Sequence, residues 1–144
     1  MERKKAISYA LFGFNKERQL NCFDFNSYLT GLMINVRLAR LIYPDWTIVL
    51  NTDQNTYNGF KPLFDGIGGD IYIHPEAPLC KAMLGSLHPA FMADKYPHVI
   101  CRDLDSPLTY REAQCVKFCE NRENGLQAIA DSVSHGSPLL GGMI

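Results

Sequence analysis

The sequence predicts an α/β fold with a mainly parallel sheet carrying helices on both faces. Two observations predict it: short apolar runs recur along the chain at intervals filled by helical patterns, and those runs lack the apolar–polar alternation of a half-exposed strand. A third bounds it, since 144 residues make one domain, residues 1–144, with a single core.

Residues 6–12 are a short apolar run closed by Gly13 and read as the first, fully buried strand. From Phe25, the positions Phe25, Leu29, Leu32, Met33, Val36 and Ala39 recur at three- and four-residue steps, which is a long amphipathic helix. It ends near Tyr43, because Pro44 disfavours helical geometry in the residue before it. Residues 47–51 are a β-branched second strand, and the polar stretch 52–59 reads as a loop before a short helix at 60–64. Residues 70–73 form the third strand, followed by a proline-bounded turn at 75–78. Residues 81–92 are helical in composition, with Pro89 as a kink or a second start. The fourth strand is 98–102. Thr109 and Glu112 then form a capping box for a helix to about Cys119, with Ala113 and Val116 as core positions. A shorter helix is expected at 126–131, and Gly141 and Gly142 allow a tight turn near the end.

Composition excludes several classes. Fourteen basic against fifteen acidic residues give a net charge of −1 with no long run of either sign, which argues against nucleic-acid binding through a basic face. The apolar run at 6–12 is followed directly by Asn15, Lys16, Glu17 and Arg18 rather than a small-residue cleavage site, so a strand fits better than a signal peptide. No segment reaches the ~18 to 20 apolar residues of a membrane span. Five cysteines, Cys22, Cys80, Cys101, Cys115 and Cys119, lie mostly in apolar stretches without a CxxC pair, which reads as reduced thiols and a cytoplasmic protein. Cys115 and Cys119 can share a helix face, but two thiols without a second pair are a weak zinc signal.

In a parallel sheet, ligands gather at the carboxyl ends of the strands, which directs attention to Gly13, to 51–53 and to 103–106. Asp103-Leu104-Asp105 follows the fourth strand, and Pro107 stops the strand from running on. On an extended chain two carboxylates one residue apart share a side and can hold one hard divalent cation, which in turn binds a diphosphate. A solvated turn is the competing reading of the bare pattern; the place of the pair after a strand and before a capped helix brings the cation level with it, and both readings stand. Arg102 and Arg111 flank it as phosphate contacts or as surface ion-pair partners of Glu112 or of the aspartates.

The segment from Arg102 through Asp103, Asp105, Ser106-Pro107, Tyr110 and Arg111 to Ala113 resembles the Asp-x-Asp region of glycosyltransferases with the GT-A, or nucleotide-diphospho-sugar transferase, fold. Supporting matches are Ala10-Leu11-Phe12-Gly13, Tyr43-Pro44-Asp45-Trp46, Asn51-Thr52-Asp53, and residues 131–135 followed by Gly141-Gly142-Met143. The resemblance implies a Rossmann-like GT-A fold and a nucleoside-diphosphate sugar donor, with Mn²⁺ or Mg²⁺ between its diphosphate and the aspartates. Carried over, Asp105 is the main metal ligand, Asp103 lies near the ribose or metal, and His135 completes the metal site or else is a solvated histidine of a Ser- and Gly-rich loop. Phe12 and Gly13 line the nucleotide pocket, Asp53 contacts base or ribose or else serves as a turn residue, and Arg111 orients the donor phosphates. The acceptor is a saccharide or another hydroxyl compound. Asp131 is a helix-end carboxylate or part of the acceptor side, Trp46 reads as a packing residue, and His74, His88 and His98 receive no role.

Two departures accompany the matches: a thiol stands near Cys119 where the family carries a large aromatic, and the resemblance implies an acceptor half beyond the Gly-Gly segment, so against the family the chain reads as incomplete at the C-terminus. Two other readings therefore stand beside the transferase. One is an inactive nucleotide-binding or partner module, whose bare sheet edge would favour a homodimer. The other is a haloacid dehalogenase-like phosphatase with Asp103 as nucleophile and Asp105 as acid or base, against which Ser106-Pro107 stands where Thr or Val is usual.

Overall fold

The structure, a computed structural model, describes residues 2–14, 23–76 and 83–121. Strand β1, Lys5–Leu11, runs as an almost unbroken apolar segment because neighbours cover both its edges and both its faces. With β2, Trp46–Asp53, β3, Asp70–His74, and β4, His98–Cys101, it forms an all-parallel sheet of order β3-β2-β1-β4. Ile7 is level with Ile48 and Ile100, and partners in parallel register share a face. One face thus carries Ile7, Tyr9, Leu11, Ile48, Leu50, Ile71 and Ile100, the other Ala6, Ser8, Val49, Asn51, Tyr72, His74 and Cys101.

The first face buries the main core. Helix α1, Phe23–Ile42, brings Phe25, Leu32, Val36 and Ala39, and α2, Gln54–Asp65, brings Phe64. Ala113 and Val116 of α3, Tyr110–Glu120, pack against the same cluster. The second face is covered by a 3-10 helix, Met83–Phe91: the Cys101 thiol donates to the Ser86 carbonyl (3.3 Å), and the His88 ring lies 4.8 Å from that of Tyr72. Helices therefore lie on both faces, as expected. The chain steps from β1 outward to β2 and β3, then crosses back to place β4 on the other side of β1. In open parallel sheets ligands gather beside the carboxyl ends of the two strands that flank such a reversal, here β1 and β4.

Local departures from the expected elements have local causes. Residues 52–59 are not a loop: β2 continues to Asp53, and α2 starts at once and absorbs the short helix expected at 60–64. Its first turn is polar because it is capped, with the Thr56 amide donating to the Asp53 carboxylate (2.8 Å). Pro62 has no amide hydrogen to give to the preceding turn, and the helix kinks at Phe60 (φ −132°, ψ 23°). The helical pattern around Pro89 winds as a 3-10 helix over Met83–Phe91. Trp46 packs as expected, edge-on to Tyr43 at 5.6 Å.

Cys101, Cys115 and Cys119 are free thiols, and burial pushes that of Cys101 up to about 11. Cys22, Cys80 and the helix expected at 126–131 lie outside the described residues, as do Asp131, His135 and Gly141-Gly142. Among the described residues, no helix is long and apolar enough to cross a membrane.

Candidate functional site

The chain leaves β4 through Arg102, whose amide still donates to the Ser8 carbonyl (3.0 Å), and enters the Asp-x-Asp loop. The backbone here is a turn rather than the extended segment expected, with the Ser106 amide pointing to the Asp103 carbonyl at 3.4 Å. The cause is Leu104, which drops into the core and is 5% exposed, while Asp103 and Asp105 stay at the surface. Burial first, and then the charge of Asp105, push the Asp103 carboxyl above its usual range, against the pull of Arg102. Two negative charges sharing one turn are the donor set a hard cation fits. Among the described residues neither carboxylate is in an ion pair, and no three His, Cys, Asp or Glu side chains converge. Mg²⁺ and Mn²⁺ tolerate so small a set, since water and substrate phosphates complete their shells. His135, the third expected ligand, lies outside the described residues.

The loop is held from behind by α1. Asn35, 1% exposed, donates through Nδ2 to the carbonyls of Leu104 (3.3 Å) and Ser106 (3.2 Å), and its Oδ1 accepts from the Leu108 amide (2.9 Å). One turn earlier, Gly31 lies directly against the Leu104 carbonyl. Arg102 corrects an expectation: rather than facing solvent toward phosphate, it is buried and pairs with Glu112 at 3.1 Å. Glu112 is one of the ion-pair partners expected, beside the aspartates, but the pair lies inside the protein, where Glu112 of α3 meets the residue that follows β4. Arg111, in the first turn of α3, is exposed near the loop.

At the carboxyl end of β1, Phe12 and Gly13 begin a turn in which Gly13 takes φ +84°, a conformation that side chains resist. Asp53 shapes this turn. Its carboxylate accepts from the Gly13 amide (2.8 Å), the Thr56 amide (2.8 Å) and the Thr56 hydroxyl (3.0 Å), while Thr56 Oγ1 accepts from the Phe14 amide (3.0 Å). Asp53 is 5% exposed, so the geometry carries its turn role and not the base or ribose contact.

A polar cluster that no sequence motif announces lies beside Phe12. Asn51 Nδ2 donates to Ser8 Oγ (3.0 Å) and to the Tyr9 carbonyl (3.1 Å), which leaves Oδ1 as acceptor for His74 Nε2 at 3.0 Å. That bond assigns the proton of neutral His74 to Nε2. The His74 ring lies 5.9 Å from Phe12 and 4.8 Å from His88, whose Nδ1 is buried without a hydrogen-bond partner among the described residues. Only the positions at the strand end signalled it; imidazoles beside prolines carry no motif. Burial first, and then His88, hold His74 below the ordinary imidazole range. The folded state thus binds fewer protons than the unfolded one, and stability is lost as pH falls through ~6.5 toward the lowered folded value. Urea titrations at successive pH values should show this slope and a shallower one in His74→Gln; identical slopes would contradict it.

Comparison of the chain with protein-family models, with curated proteins and with solved structures gives no match. The functional reading therefore rests on this geometry and on the residues themselves.

Proposed function

We propose that this chain is a metal-dependent glycosyltransferase that moves a sugar from a nucleoside-diphosphate donor to a hydroxyl of a saccharide or similar acceptor. One observation carries the reading: two surface carboxylates free of ion pairs among the described residues, Asp103 and Asp105, stand after β4 where the strand order reverses beside β1. Asp105 is the main ligand for Mn²⁺ or Mg²⁺, and Asp103 supplies a second oxygen. A cation held by these two carboxylates would supply positive charge for a departing nucleoside diphosphate. In this reading Phe12 and the Gly13 turn, at the carboxyl end of β1, contact the nucleotide, and Arg111 orients the phosphates. Three free thiols suit a reducing compartment, and we place the activity in the cytoplasm.

Calorimetric titration with a panel of nucleoside diphosphates and their sugars, with and without Mn²⁺, tests the proposal. Wild type should bind one of them in a cation-dependent manner, and Asp105→Ala should weaken that binding at least about tenfold, the lower range for disturbing a metal site. Equal binding with and without cation, or full binding in Asp105→Ala, would overturn it.

A further inference from the structure

Among the described residues, the buried side-chain amide of Asn35 makes three hydrogen bonds, all to the segment that carries Asp103 and Asp105. Asparagine is a poor residue for a helix interior, and burying a primary amide is unfavourable unless it is bonded. Asn35 sits mid-way along α1, 1% exposed, and its partners are all 69 to 73 residues away. Among the described residues its side chain has no hydrogen-bond partner within α1. The two carbonyls it holds, those of Leu104 and Ser106, lie on either side of Asp105, and the amide it accepts from belongs to Leu108, beyond Pro107. Three bonds from one side chain hold the Leu104–Asp105 peptide directly and the two peptides from Ser106 to Leu108 just beyond it, and so restrain the backbone that carries Asp105. Gly31, one helical turn away, brings the α1 backbone close enough for this grip.

We infer that Asn35 is a positioning residue of the cation site: it touches neither cation nor donor, and it sets the direction in which Asp105 presents its oxygens. The inference rests on the metal-dependent reading above. Groups that orient metal ligands from behind typically contribute about 10- to 100-fold in metal affinity, although they touch no metal. Asn35→Ala removes all three bonds. Asn35→Asp keeps the acceptor for Leu108 and loses both donors beside Asp105.

The test uses Mn²⁺ alone as the probe and reads the paramagnetic broadening of the backbone amide signals of residues 103–106. Wild type should broaden, Asp105→Ala should not, and Asn35→Ala and Asn35→Asp should need about tenfold more Mn²⁺ or beyond. Phe64→Leu, which cuts into the core from α2, lowers stability without touching the loop and should titrate like wild type. A second measurement needs no variant: Mg²⁺ should slow hydrogen exchange of the Leu108 amide in the wild-type chain. Wild-type affinity in both Asn35 variants, an equal loss in Phe64→Leu, or unchanged exchange at Leu108 would overturn the positioning role while leaving the cation site standing. Absence of broadening in wild type would instead remove the metal-dependent reading, and this inference with it.

Discussion

Gly31→Ala should lower the free energy of unfolding by about 2 kcal/mol or more, even though alanine is the best helix former and glycine nearly the worst. Two effects oppose each other. Inside a helix the exchange is worth about 1 kcal/mol in favour of alanine. Against it, a Cβ at residue 31 would overlap the Leu104 carbonyl oxygen and stand 2.9 Å from its carbon. The obstacle is backbone, so no side-chain rotation relieves it, and Asn35 pins the same carbonyl from the next turn of the helix. Overpacking against an unyielding neighbour costs about 3 kcal/mol, at the upper end of the usual range, and the difference leaves the loss stated. Gly66→Ala supplies the contrast. At φ −72° with its nearest contacts at 3.4 Å, it accepts a methyl group without strain and should be neutral or gain about 0.5 kcal/mol. Urea midpoints of the two variants should therefore move apart. A neutral Gly31→Ala would mean that the Asp-x-Asp loop has slack, which would also weaken the positioning role of Asn35.

How much of this was legible in the sequence depended on the range of the interaction concerned. The order of strands and helices follows from local patterns, and the buried strands announced themselves as unalternating apolar runs such as Ile7 to Leu11. Asp103 and Asp105 were legible because their chemistry is carried by residue type and spacing. The residues that organise the site were not, because each polar group among them finds its partner far along the chain. Asn35 reaches the loop across about 70 residues, and Asp53 reaches Gly13 across 40. A signal did exist in α1: Gly31 and Asn35, both unfavourable in a helix interior, stand four residues apart on one face of an amphipathic helix. The polar segment after Asn51 misled for a related reason. Asp and Thr read as loop formers when their partners are unknown, and as a helix cap once Asp53 is seen to hold the amide of Thr56. Arg102 misled most, since nothing local tells a surface arginine from one that α3 will cover.

That buried pair leads to the second large effect. Glu112→Ala should destabilise the fold by about 3 to 5 kcal/mol, the range found when one partner of a buried ion pair is removed. Arg102 is 6% exposed and faces Glu112 at 3.1 Å; without that carboxylate, the guanidinium keeps its charge in the core beside the buried hydroxyls of Tyr9 and Tyr43. Neither hydroxyl relieves it, because burial raises both well above the usual phenol range and keeps them neutral. The double variant Arg102→Met with Glu112→Leu should recover most of the loss, since an apolar pair of similar volume avoids the desolvation of two charges. Stability and cation binding then part company. In Glu112→Ala the positive charge next to Asp103 is no longer balanced by Glu112, so the loop should hold Mn²⁺ less tightly than in wild type. In the double variant that positive charge is gone, and Asp103 and Asp105 should hold Mn²⁺ at least as tightly as in wild type. Chemical denaturation and Mn²⁺ titration of the three proteins measure the two quantities separately. If both fell together in the double variant, the pair would be shaping the loop through geometry rather than through charge.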